Sequence, residues 1–220
     1  MKISLINAGK RFNRDWIFRK FNYGFTAGTA YAITGPNGSG KSTLLQIIGG
    51  AMIMSEGSAT YEVGIPQSPS NQVVRAGSTG NQVSVDKAFQ FISIAAPYLE
   101  LIEEMTVTEF LQFHGQFKPF LPNFSIRDII AIIGLDKAAH KQIRYYSSGM
   151  KQRVKLAQAI FSNVPCILLD EPCTNLDTDG IALYQRLITD YCNNRLVIVS
   201  SNDEQEYSFC TERISILNYK

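Results

Sequence analysis

One nine-residue run limits the fold of this chain more than any other feature. Gly35, Pro36, Asn37, Gly38, Ser39, Gly40, Lys41, Ser42 and Thr43 fit the pattern G-x-x-x-x-G-K-[ST]. The apolar stretch Tyr31-Ala-Ile-Thr34 precedes it, and the helix-prone Leu44-Leu-Gln-Ile-Ile48 follows. A strand, a glycine-rich turn and a helix form the setting in which such glycines matter. With no side chain in the way, successive backbone N–H groups can curl around a phosphate chain. The helix that opens here adds the positive end of its dipole. In that setting Lys41 reaches the β- and γ-phosphates of a nucleotide, and the Ser42 hydroxyl ligates Mg²⁺.

A second apolar run, Cys166-Ile-Leu-Leu-Asp170, ends in two adjacent carboxylates, Asp170 and Glu171. Asp170 at a strand tip can hold Mg²⁺, generally through water, as the other half of the loop's metal site. Glu171, on the other side of the chain, can orient or deprotonate an attacking water. Acidic residues at strand ends also serve as plain helix caps. The phosphate-binding loop upstream is what favours the catalytic reading here.

Around these motifs, short apolar strands alternate with helical patterns, which predicts α/β architecture. Leu196-Val-Ile-Val-Ser200 is a third buried strand, and between the last two Ile181, Tyr184, Ile188 and Tyr191 form an apolar stripe at helical spacing. A crossover helix of this kind joins parallel strands. Three β-like pieces in the first sixty residues, Ile3–Ile6, Trp16–Phe18 and Ser58–Tyr61, predict a small antiparallel layer. From Gly64 to Asp86 the chain is rich in Gly, Ser, Asn and Gln and reads as a flexible, linker-like insertion. Thr106 and Glu109 have the spacing of a capping box, and another helix is expected after Ser125. Residues from about 97 to 146 therefore read as a mainly helical lobe inserted in a single domain spanning 1–220.

Composition excludes several classes. The 21 basic and 19 acidic residues leave a net charge of +2 with no long run of one sign, so no nucleic-acid partner is expected. Cys166, Cys173, Cys192 and Cys210 have no paired short spacing of the zinc-site kind and read as reduced thiols. No stretch approaches ~20 consecutive apolar residues, so another chain must supply any path across a membrane.

A third element brings a family into view. Tyr146-Ser-Ser-Gly-Met-Lys-Gln-Arg153 resembles the signature motif of the ABC ATPases, L-S-G-G-Q before a basic helix, and lies ahead of the acidic strand as it does there. Ser147 and Gly149 match the family's serine and second glycine; Ser148 stands where glycine is usual, and Met150 where glutamine is. The resemblance covers essentially the whole chain. It implies a P-loop NTPase core with a mainly parallel sheet, ATP and Mg²⁺ as ligands, and ATP sandwiched between two such domains in a homodimer or heterodimer. It implies that Asp177, in Thr174-Asn-Leu-Asp177, belongs to a loop crossing the dimer interface. It also places Phe12 where the family has an aromatic that stacks on adenine, with Trp16 competing and core packing an alternative for both. Membrane-spanning subunits are the implied partners, with this chain cytoplasmic on the membrane's inner face and Pro97–Ile102 a candidate docking groove or ordinary lobe core.

Two departures from the family pattern are informative. Its glutamine after the strand entering the helical lobe aligns with Ala96, and its histidine after the last long strand aligns with Asn202. Asparagine donates a hydrogen bond but cannot become cationic. His114 and His140 lie in the helical lobe and read as surface or packing residues. The expectation is an exporter-like transport ATPase that binds ATP readily and hydrolyses it slowly. A soluble, non-transport ABC ATPase and a regulatory ATP-sensing subunit are the alternatives.

Overall fold

The structure is a computed structural model that describes residues 1–64 and 81–220. It has two sheets. Strands β1 (Lys2–Phe12), β2 (Asp15–Thr26), β4 (Glu56–Val63) and β5 (Asn81–Val83) form an antiparallel sheet in the order β2-β1-β4-β5. Strands β3 (Ala30–Thr34), β6 (Ile92–Ala95), β7 (Cys166–Asp170), β8 (Leu196–Ser200) and β9 (Glu212–Ser215) form a parallel sheet in the order β6-β7-β8-β3-β9.

The expected antiparallel layer is present, with longer strands than the pattern shows. Ile3 and Leu5 point inward in strict alternation, and the alternation then fails at Asn7, where φ is 52 and the pairing with β2 shifts register. A bulge of this kind hides the second half of a strand from a period-two reading. The expected linker at 64–86 changes too. Residues 65–80 lie outside the described residues, but Asn81–Val83 pairs with β4 as its edge neighbour. Its run of Asn, Gln and Val carries no alternation to announce it.

All five residues of β7 and of β8 are buried, because helices or the second sheet cover both faces. Side chains therefore partition by period two. Ala32, Ile167, Leu169, Val197 and Val199 join one core with the helical region. Ile33, Cys166, Leu168, Leu196 and Ile198 join the other, with the antiparallel sheet and helix α1 (Lys41–Ile48). The phosphate-loop helix is thus wedged between the two sheets.

The stretch expected to be mainly helical is only partly so. Helix α2 (Val107–Phe117) carries the predicted capping box, and α3 (Ile126–Ile132) carries a second one from Ser125 and Asp128. Single tight turns occupy Asp136–Ala138 and Ile143–Tyr145, while 97–105 is irregular. Three further helices follow: α4 (Ser148–Phe161), α5 (Thr178–Tyr191) and the short α6 (Glu204–Tyr207). All four cysteines are buried free thiols, and burial pushes Cys173 and Cys210 up to about 12. Among the described residues no helix is long and apolar enough to cross a membrane.

Candidate functional site

The loop between β3 and α1 is shaped by its glycines. Gly35 has φ 149, and a Cβ there would meet Ser39 Oγ at 2.8 Å and Ile216 Cγ2 at 2.9 Å. Gly40, the cap of α1, has φ 100 and Ile17 Cγ2 only 2.2 Å from where its Cβ would stand. Lys41 is 4% exposed, and its ammonium lies inside the loop, donating to the carbonyls of Gly35 (2.9 Å) and Pro36 (3.2 Å). No acidic residue occupies the first turn of α1, so nothing offsets the positive helix end. The cleft in front, of ≈ 210 Å³, is lined by Ile17, Asn37, Gly38, Gly40, Lys41, Ser42, Thr43 and Glu171. Its scale and its amide-rich floor suit a phosphate chain.

Parallel pairing of Asp170 with Ser200 brings the acidic strand end beside this loop. Asp170 is 2% exposed. Burial pushes its carboxyl above the usual range, against the opposing pull of Ser200, Ser42 and Lys41. Although these groups are close, Asp170 Oδ1 and Ser200 Oγ have no hydrogen-bond partner. An orphaned carboxylate oxygen next to the Ser42 hydroxyl is an all-oxygen donor pair of the kind Mg²⁺ takes, with phosphates and water completing the shell. The residues present fit that ion. Glu171 follows at φ 42, its N–H donating to the Ser200 carbonyl at 2.9 Å, and it forms part of the cleft wall.

The Tyr146–Arg153 segment builds a different pocket. Ser147 caps α4, its hydroxyl accepting from the Met150 N–H at 3.2 Å. Ser147, Ser148 and Gly149 line a hollow of ≈ 450 Å³ together with Lys137, Arg153 and Asp177. Asp177 caps α5 through the Gly180 N–H (2.8 Å) and faces Arg153 at 3.6 Å. This pocket has no lining residue in common with the phosphate-loop cleft.

The family model described as ABC transporter matches residues 18–174, most of the chain and all three motifs. The chain belongs to the ABC transporter family. It is an ABC-type ATP hydrolase built on the P-loop NTPase fold. It is 27% identical over 206 residues to the uncharacterized ABC transporter ATP-binding protein YybJ of Bacillus subtilis, covering 93% of this chain and 87% of the relative. It is 29% identical over 187 residues to the cytochrome c biogenesis ATP-binding export protein CcmA of Nitrobacter winogradskyi, covering 84% of this chain and 83% of that one. Its fold is similar to that of the bacterial ABC transporter cassette MJ0796, solved as a dimer, with a TM-score of 0.70 at 24% identity over 97% of this chain and 93% of that one.

The remaining positions of this ABC ATPase fall at varied distances from the cleft. Phe12, at the end of β1, is 46% exposed with the Lys10 ammonium 5.1 Å above its ring. Trp16 is covered by the Arg19 guanidinium at 4.1 Å. Neither ring lines the phosphate cleft; Ile17 does. Ala96 is fully buried, one residue past the pair Ala95–Leu169 and so level with Asp170. Asn202 is exposed two residues after β8, outside the cleft lining. His140 is exposed, whereas His114 is a packing residue held by Ser162 Oγ (2.9 Å) and Gln158 (3.2 Å).

Several residues near the site have no role assigned by the sequence, although Gln152 lies within the signature segment. Burial, with the charge of Asp170 nearby, raises the Tyr98 hydroxyl above its ordinary range, against the pull of Gln46. Lys220 Nζ supports the loop from behind, donating to the Ser39 carbonyl at 2.7 Å. Gln152 and Glu206 bind the backbone just after Glu171. Only the tertiary fold brings Tyr98, Lys220 and Glu206 to the motif residues, and Gln152 to the acidic strand end.

Proposed function

We propose that this chain is the nucleotide-binding subunit of an exporter-like transporter, in which two copies close around two ATP molecules and drive separate membrane-spanning subunits. The observation that carries the reading is the division of the chemistry between two faces. Lys41, Ser42, Asp170 and Glu171 gather at one cleft, whereas Ser147, Ser148 and Gly149 open another. A phosphate lying on the loop alone remains open to water on its outer side. A second copy related by a two-fold axis covers it with its own signature pocket, and the same operation completes the reciprocal site.

In the closed pair, Lys41 exchanges the carbonyls of Gly35 and Pro36 for the β- and γ-phosphates. Ser42 and Asp170 hold Mg²⁺, which when bound offsets the charge of the phosphate oxygens. Glu171 orients the attacking water and accepts its proton. The Ser147 hydroxyl and the amides opening α4 meet the γ-phosphate from across the interface. Asp177 lies at that interface, and the Phe12 ring offers a face to adenine.

Ala96 and Asn202 set the rate. A methyl group level with Asp170 offers the metal no oxygen ligand and the water no hydrogen bond, and Asn202 supplies no cation. Loss of one preorganised contact to a transition state costs on the order of 10²–10³ in turnover. The irregular segment 97–105 and α2 form a groove of ≈ 230 Å³ lined by Leu99, Ile102, Phe110, Phe113 and Phe117, with Glu100 at its edge. Phe117 is 70% exposed there, which suits docking of an apolar segment from the membrane subunits. The export direction is supported by the name of the CcmA relative.

Single-turnover hydrolysis by the purified chain, alone and with its membrane subunits, tests the reading. Slow basal turnover, raised in Asn202→His, is the expected result. Turnover as fast as that of a typical transporter, unchanged in Asn202→Ala, contradicts the assignment of rate control to this position.

A further inference from the structure

We propose that Gln152 and Glu206 are the positioning residues of Glu171, and that Gln152 ties the Glu171 carboxylate to the signature helix. The inference rests on the reading of Glu171 as the group that acts on water. Glu171 is held at φ 42, a left-handed conformation that a glutamate adopts only when its surroundings fix it. Three hydrogen bonds fix it here. Its own N–H donates to the Ser200 carbonyl (2.9 Å), Gln152 Nε2 donates to the Pro172 carbonyl (2.7 Å), and the Cys173 N–H donates to Glu206 Oε1 (2.7 Å). The peptide unit between Pro172 and Cys173 is therefore pinned through both its carbonyl and its N–H, from α4 on one side and from α6 on the other.

Both tethers are built into the interior. Gln152 is 3% exposed and Glu206 5%. Burying an amide and a carboxylate is costly unless each has a specific partner. Glu206 also meets Ser201 and sits near Asp203 and Glu171, so burial and like charge raise its carboxyl above the usual range. The backbone amide of Cys173 is the donor that makes such a placement tolerable. Gln152 has a second property. It lies five residues after Ser147 on the same helix, so a displacement of α4 by a phosphate at Ser147 pulls directly on the peptide next to Glu171.

Steady-state ATP hydrolysis and equilibrium ATP binding by the full chain test the proposal. Gln152→Met keeps the volume but removes the donor; Glu206→Leu removes the acceptor and Glu206→Gln retains it. A misplacement of about 1 Å at a reacting group costs on the order of 10²-fold. Expected is a kcat loss of that order in Gln152→Met and Glu206→Leu, with KM and ATP affinity unchanged and with Glu206→Gln close to wild type. Wild-type kcat in Gln152→Met overturns the proposal, as does a parallel loss of ATP affinity and kcat. If Glu206→Leu does not fold, Gln152→Met decides alone. Glu171→Gln runs beside them: wild-type turnover in that variant overturns the reading of Glu171 itself, a separate failure.

Discussion

At Gly40, φ 100 and a 2.2 Å approach of Ile17 to the absent Cβ leave room only for hydrogen. Gly40→Ala adds backbone strain of about 1–3 kcal/mol and moves the amides that face the phosphates. ATP binding measured by titration calorimetry is expected to vanish while far-ultraviolet dichroism stays native; unchanged affinity would contradict the geometry of the loop. His114 gives a prediction in pH. Burial, aided by Lys118, lowers it from 6.5 to about 4, and its ring accepts from Gln158 and faces Ser162 Oγ. The unfolded chain therefore takes up this proton first, so stability falls as pH drops from about 6.5 to about 4. Melting temperatures across that window are expected to fall less steeply in His114→Gln. At this scale the loop, Asp170 and Glu171 were legible, because each rests on contiguous residues with a local backbone requirement. Gln152, Glu206 and Tyr98 were not, since the fold alone gathers them around the acidic strand end.

Elements were legible to the extent that their ends carry chemistry. Thr106 and Glu109 announced α2, and the structure closes the box with Thr106 N–H to Glu109 at 2.8 Å and Glu109 N–H to Thr106 Oγ1 at 3.2 Å. Removing that cap in Thr106→Ala is expected to cost about 1 kcal/mol in a denaturant melt without changing ATP affinity. A change in affinity would mean that α2 is coupled to the nucleotide. The continuous apolar runs of β7 and β8 marked buried strands, and α5 between them gave their parallel pairing. Strand β1 was legible only as far as Asn7, where the bulge breaks its alternation. Strand β5 is three residues long and carries no period at all. The 97–105 stretch is irregular where a helical lobe is expected, because its apolar residues line a groove and form no helical stripe.

The whole molecule places the phosphate loop and the signature pocket on one chain without letting them meet. On the proposed reading, that division makes two copies the smallest complete unit. The central claim is tested most directly by mixing two inactive variants, Lys41→Ala, which loses the loop, and Ser147→Arg, which blocks the signature pocket. In a two-fold pair each site takes one half from each chain, so a mixed dimer keeps one intact site and random 1:1 mixing restores about a quarter of wild-type hydrolysis. Hydrolysis in the mixture no greater than the sum of the two variants alone would contradict the shared site.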